Sequence, residues 1–244
     1  MNKAEWNCCK DPQTMLAFLI GSGNTSERKL RLFAVACCRR IWPLIRNPKH
    51  KIVIETAERY ADGDLSFQAL QESLQLIGNP QHRRTAAAAY ACCMPVAPRC
   101  HCEGPLVFQR DYRGGIYACG ADLRCPYYEP YWSGLAGAPF AAVATIKVPD
   151  PWPERYLQCR LLRDLCLPFQ ATPVPASRWL AWHDRLIVSM AQKMYDSRDF
   201  SDMPVLADAL EEAGCTNLDV LSHCRSKSDH VRGCWLIDLL LNKE

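Results

Sequence analysis

What this sequence lacks narrows it before anything it contains. It has no apolar stretch of membrane-spanning length, because every apolar helical run is interrupted by Arg, Lys or Pro. Residues 1–11 hold no apolar core of the kind a secretory signal needs. Both absences lead us to expect a cytoplasmic chain with no membrane partner. Charge of one sign is also missing: 29 Lys and Arg stand against 26 Asp and Glu, for a formal net charge of +3 and a pI near 8.2. That balance is far from the concentrated positive charge of a dedicated nucleic-acid binder, which leaves nucleic acid unsupported as a partner. No P-loop, dinucleotide-binding glycine motif, zinc-protease helix motif or serine-hydrolase elbow occurs, so the readiest signatures of an enzyme are absent.

What is present is enough apolar material for a core and an unusual amount of sulfur. The chain has 244 residues, 49% of them hydrophobic, which suits one large domain or two small ones. Fifteen cysteines in a chain that is not exported read as reduced thiols, small core residues or metal ligands rather than as a disulfide framework. The adjacent pairs Cys8 and Cys9, Cys37 and Cys38, and Cys92 and Cys93 agree, since neighbouring cysteines seldom bond each other.

Apolar residues recur at helical spacing along most of the chain. Asp11 and Pro12 open a short helix, and Ser26 with Glu27 opens a second that carries Leu30, Phe33, Ala34, Cys37 and Ile41. Further helices are expected over residues 49–62, from Ser66 past Leu74, and over 80–94. After Trp152 they resume with Tyr156, Cys159, Leu162, Leu165 and Cys166 inward. Others follow around Ile187 to Met194, over 203–213, over 217–224, and in a final helix capped by Asp229 with Val231, Cys234, Trp235 and Leu239 inward. Between Pro95 and Pro153 the helical period disappears and Pro, Gly, Tyr and Cys take over, with a hairpin expected where residues 106–110 and 116–119 flank Arg113, Gly114 and Gly115. The fold class is therefore all-α: an irregular multi-helix bundle with a loop-rich insertion. Residues 1–94 and 152–244 are expected to pack as one body around the 95–151 insertion.

Two groups of residues could carry metal chemistry. Cys100 and Cys102 precede the expected hairpin and Cys119 and Cys125 follow it, which supplies four thiolates for a tetrahedral structural zinc, with His101 as a further donor. The spacing departs from the usual two-residue knuckle. In the second group, His230 and Cys234 lie four apart and are read as sharing one helix face, with Cys215 and Cys224 arriving from the preceding segment and His223 nearby. The plain alternative makes Cys234 a small core residue beside Val231 and Trp235. Asp238, set in an apolar run, needs either a basic partner or a solvent-facing position.

Several segments resemble a large family of planctomycete bacterial proteins that has no established activity. They are the opening Trp6-Asn-Cys-Cys-Lys-Asp-Pro12, the run from Arg28 to Trp42, residues 203–215, and above all the tail from His223-Cys-Arg225 through His230-Val-Arg-Gly-Cys-Trp235 to Leu241. The resemblance covers residues 1–91 and 161–244. It implies neither a reaction nor catalytic residues, and the cysteine-bearing middle departs from it.

The leading functional expectation is a non-enzymatic interaction or scaffold module with a protein partner, which structural zinc could stabilise, the insertion cysteines being otherwise free thiols in an irregular loop. Its contact anchors would be Tyr112, Tyr117, Tyr127, Tyr128, Tyr131 and Trp132 of the insertion, side chains that could equally pack the insertion onto the helical body. A Cys/His-dependent enzyme is one alternative. A nucleic-acid-associated protein using the basic helix near residues 28–40 is another, although the plainer reading of those arginines is a solvated helix face.

Overall fold

Side-chain caps and first-turn prolines start most of the helices where the sequence says they should. The computed structural model describes residues 1–23, 25–77, 84–93, 106–109, 116–119, 128–130, 152–169, 177–227 and 229–243. The helices are α1 (Lys3–Cys8), α2 (Pro12–Ser22), α3 (Glu27–Arg40), α4 (Pro48–Ala61), α5 (Phe67–Leu74) and α6 (Arg84–Cys93), followed after the insertion by α7 (Trp152–Leu165), α8 (Ser177–Ser197), α9 (Met203–Glu212), α10 (Leu218–Arg225) and α11 (Trp235–Leu241). The protein is all-α in class. In the insertion, backbone pairing joins β1 (Leu106–Gln109), β2 (Ile116–Cys119) and β3 (Tyr128–Pro130) into a small antiparallel sheet of order β1-β2-β3, with the expected hairpin as its first pair. The side chains of that sheet, and with them the expected tyrosine anchors and the Cys100, Cys102, Cys119 and Cys125 group, lie outside the described residues.

Asp11 accepts from the Thr14 N–H, Ser26 from Lys29, Ser66 from Ala69 and Asn217 from Val220, each satisfying an amide that the first helical turn leaves without a partner. The structure falls into two compact units. One comprises Met1–Asn7 and Arg160–Glu244, and the other Cys8–Cys159, so the division passes through α7.

In the Cys8–Cys159 unit, α3 is the central element. Leu30 through Cys38 are all buried, which requires neighbours on every side of the helix, and α4 and α6 pack against it. The arginines of α3 do not form a solvated face. Arg31 is fully buried, donates 2.6 Å to the Cys92 carbonyl and bonds Glu27, with its guanidinium over the Tyr60 ring. Arg28 pairs with Asp62 at 3.1 Å, Arg39 holds Glu58 through two N–H groups at 3.1 and 2.5 Å, and Arg40 holds Glu154 at 3.0 Å. Buried carboxylates compensate the charge that the sequence suggested could meet phosphate.

In the other unit, α8, α9, α10 and α11 enclose a core of Ile187, Met194, Leu206, Leu210, Val220, Leu221, Trp235, Leu236 and Ile237. Trp235 is only 6% exposed, which makes α11 a core helix. Its start differs from expectation. Asp229 does not cap it; Cys234 occupies the N-cap position, and residues 230–234 form a turn closed by the Cys234 N–H bonding the Val231 carbonyl at 2.9 Å. The fourth residue of that turn, Gly233, has φ 92°, a conformation that side chains strongly resist, so the Arg-Gly pair ends any helix there. Another expected inward position, Tyr156, is exposed.

Candidate metal centre

The turn and two helices bring four different side chains to one point inside the Met1–Asn7 and Arg160–Glu244 unit. α7 supplies Asp164, α10 supplies His223, and the turn supplies His230 and Cys234. One ligand atom from each lies within 4.8 Å of all the others. Asp164 Oδ1 is 2.6 Å from His230 Nδ1 and 3.4 Å from His223 Nε2. Cys234 Sγ is 3.1 Å from His223 Nε2 and 3.9 Å from His230 Nδ1. The 3.1, 3.4 and 3.9 Å spans are close to the edges of a tetrahedron drawn about an ion with ligand distances of about 2.0 to 2.3 Å, whereas the 2.6 Å span is a hydrogen bond that an ion would have to open.

The group is well screened from solvent. The side chains of Asp164 and His230 are 0% and 4% exposed, Cys234 is wholly buried, and His223 is 13% exposed. Surrounding contacts hold the ligands in place. The second Asp164 oxygen accepts the Val231 N–H at 3.0 Å, which ties the carboxylate to the turn that carries the other ligands. The two imidazoles meet edge to face at 4.8 Å between centroids, and Phe200 lies against His230. His230 Nε2 is buried without a hydrogen-bond partner.

Burial and the neighbouring His230 hold His223 neutral. Desolvation is the larger influence and pushes its pKa down to about 4, against the pull of the Asp164 carboxylate in the other direction. The Trp235 indole N–H donates to His223 Nδ1 at 3.2 Å, so a neutral His223 keeps its proton on Nε2, facing Cys234 and Asp164. A metal ion on Nε2 would move that proton to Nδ1 and break the indole contact. Loading the site therefore couples metal, proton and tryptophan.

Of the four residues expected to converge from the tail, the structure brings together two, His230 and Cys234. They meet through the turn and not along a helix face. Cys215 and Cys224 lie in the core beside each other and are not members of the group; burial raises both thiols, Cys224 to about 12. His223, noted from the sequence as a neighbour, takes a ligand position. Asp164 was missed. The only signal available was a carboxylate placed among Leu161, Leu162 and Leu165 on the inward face of α7, where a charge needs a partner.

A cleft of about 370 Å³ opens beside the group, within the same unit. Asp164, His223 and Trp235 reach it, and Trp6, Phe169, Arg160 and Arg163 contribute to its walls. Cys234, the one nucleophilic atom of the group, does not line it. Among the described residues, no helix is long and apolar enough to cross a membrane.

Comparison of the chain with family models, with curated proteins and with solved structures yields no match.

Proposed function

We propose that this protein is a non-enzymatic helical module whose C-terminal unit is held together by one structural divalent metal ion, zinc by its ligand chemistry. The observation that supports the reading is the convergence of Asp164, His223, His230 and Cys234 in a buried setting. A thiolate, two imidazoles and a carboxylate match the borderline softness of zinc, and four protein ligands complete a tetrahedron with no position kept open, as structural zinc sites do. The ligands come from α7, α10 and the turn before α11, so one ion would tie together the elements that enclose the core. In this reading the metal supplies stability, and partner binding falls to the surfaces of the module.

A Cys/His-dependent enzyme is favoured by one contact, the 3.1 Å approach of Cys234 Sγ to His223 Nε2. The same site argues against it. The sulfur is fully buried and off the cleft, and the atom that orients His223 through Nδ1 is an indole donor, where an activated cysteine–histidine pair needs an acceptor.

The test is metal analysis of protein purified without an affinity metal. About one zinc per chain is expected, lost in the His230→Gln, Cys234→Ser double variant and kept in the Cys215→Ser, Cys224→Ser double variant. Protein without metal, even after zinc is supplied during refolding, counts against the reading. A full equivalent surviving the His230→Gln, Cys234→Ser change also defeats it and moves attention to Cys100, Cys102, Cys119 and Cys125.

A further inference from the structure

The cleft beside the metal centre is walled by rigid aromatic rings and edged by guanidinium groups that are already held in position. Trp6 is buried, its ring meets Phe169 edge to face at 6.2 Å, and Trp235 lines the same cleft. On α7, Arg160, Arg163 and Asp164 stand three and four residues apart and so share one face of the helix. Arg163 donates twice to the Trp6 carbonyl, at 3.2 and 2.7 Å, and Arg160 donates to the Lys227 carbonyl at 2.6 Å. The Arg160 guanidinium carries five N–H donors, so its contact holds the group in place and leaves capacity for an anion.

Charge on the cleft is uneven. Lys3, Arg160 and Arg163 line it against two carboxylates, Asp164 and Asp219. Asp164 is already engaged by His230 and the Val231 N–H. The three cations outnumber the two carboxylates. A cavity of about 370 Å³ is at the small end for a ligand site and suits a fused two-ring compound better than a nucleotide or peptide.

We infer that this cleft is a binding site for a compact aromatic carboxylate, its ring against the Trp6, Phe169 and Trp235 walls and its carboxylate at the Arg160 edge. Pre-positioned rings and guanidiniums lower the ordering cost of such a complex, and the fork geometry of Arg favours a planar anion over a neutral amide of the same shape. The inference uses the walls of the cleft and not the ion, so it stands or falls separately from the metal reading.

The experiment is titration calorimetry of the full chain, as purified, with 2-naphthoate and its neutral analogue 2-naphthamide. Saturable binding of 2-naphthoate is expected, at least tenfold tighter than that of the amide. In Arg160→Gln, and to a lesser degree in Lys3→Gln, that preference should shrink at least threefold while amide binding stays within twofold. The two substitutions are at partly exposed and exposed positions, and an unchanged melting temperature verifies that each variant is folded. Absence of saturable 2-naphthoate binding, equal affinity for the two compounds, or a preference untouched in both variants overturns the assignment.

Discussion

The two units bury similar residue types and arrange them in opposite ways. Around α3, sulfur and charge are kept apart. Cys37, Cys38, Cys92 and Cys93 fill core space, while Arg28, Arg39 and Arg40 each have their own carboxylate. Around α11, a thiol, two imidazoles and a carboxylate converge within a single ligand-sized volume. The first arrangement pairs these arginines with carboxylates one by one, and among the described residues no group of ligand atoms converges there. The second leaves His230 Nε2 without a partner and places two imidazoles in contact, which is costly unless something is gained from the convergence. A cysteine count alone therefore says little, and the mixture of ligand types at one point says much more.

The strongest way to break the comparison is to remove a central ring. Trp235→Ala deletes a buried indole from the core and the donor to His223, and should cost about 3 to 5 kcal/mol in urea denaturation. A loss below about 1 kcal/mol would contradict the central placement of α11.

Acid should separate the two regions next. Because burial depresses His223 to about 4 from an ordinary value of 6.5, the unfolded chain takes up a proton that the folded chain refuses. The associated stability is fully present above pH 6.5 and is lost as pH falls from 6.5 to about 4, by about 2 to 3 kcal/mol in chelator-treated protein. His223→Gln should flatten that slope in a series of denaturation curves, and an unaltered slope would place the acid sensitivity elsewhere.

Added zinc sharpens the contrast from the other side. At a hundredfold excess over its dissociation constant it should stabilise the chain by about 2.7 kcal/mol, and the gain should vanish in the His230→Gln, Cys234→Ser double variant. The same titration should change tryptophan fluorescence, since loading His223 Nε2 ends the Trp235 contact. Replacing Cys38 and Cys92, whose sulfurs lie 3.4 Å apart, should leave the zinc response as it is.

A smaller effect is expected from the paired charges. Glu58→Gln leaves Arg39 its packing over Trp42 and weakens a bidentate ion pair, and should cost about 2 kcal/mol, less than a fully buried pair because Arg39 is partly exposed. Smallest in energy, but directly visible by mass spectrometry of alkylated peptides, is a difference in thiol reactivity. Exposed Cys8 should label well before Cys37 and Cys93, whose thiols burial pushes up, and before Cys92, raised foremost by its bond to Cys38.

Much of the fold was legible because caps and periodicity are local. Ser26, Ser66 and Asn217 announce their helices, and the spacing of Leu30, Phe33 and Cys37 announces the buried side of α3. The small helix α1 was not legible, since six residues with one buried tryptophan give no period. Three of the four residues of the candidate site were named from the sequence, His230 and Cys234 as ligands and His223 as their neighbour. Their geometry and the fourth residue were not, for two physical reasons: the Gly233 turn replaces the expected helical spacing, and Asp164 reaches the group from 66 residues away in the chain. The arginines of α3 were misjudged for the same reason, as their carboxylates are distant in sequence.

The bond from Arg163 to the Trp6 carbonyl spans 157 residues, and it has a consequence for synthesis. On a ribosome adding about 5 to 20 residues per second, Trp6 emerges some 8 to 30 s before the arginine that receives it. Throughout that interval its indole has no core to enter, and the other unit is itself complete only when Cys159 emerges, just ahead of Arg163. Residues 1–7 must wait with the Trp6 ring uncovered, and join their own unit only once the chain from Arg160 onward is made.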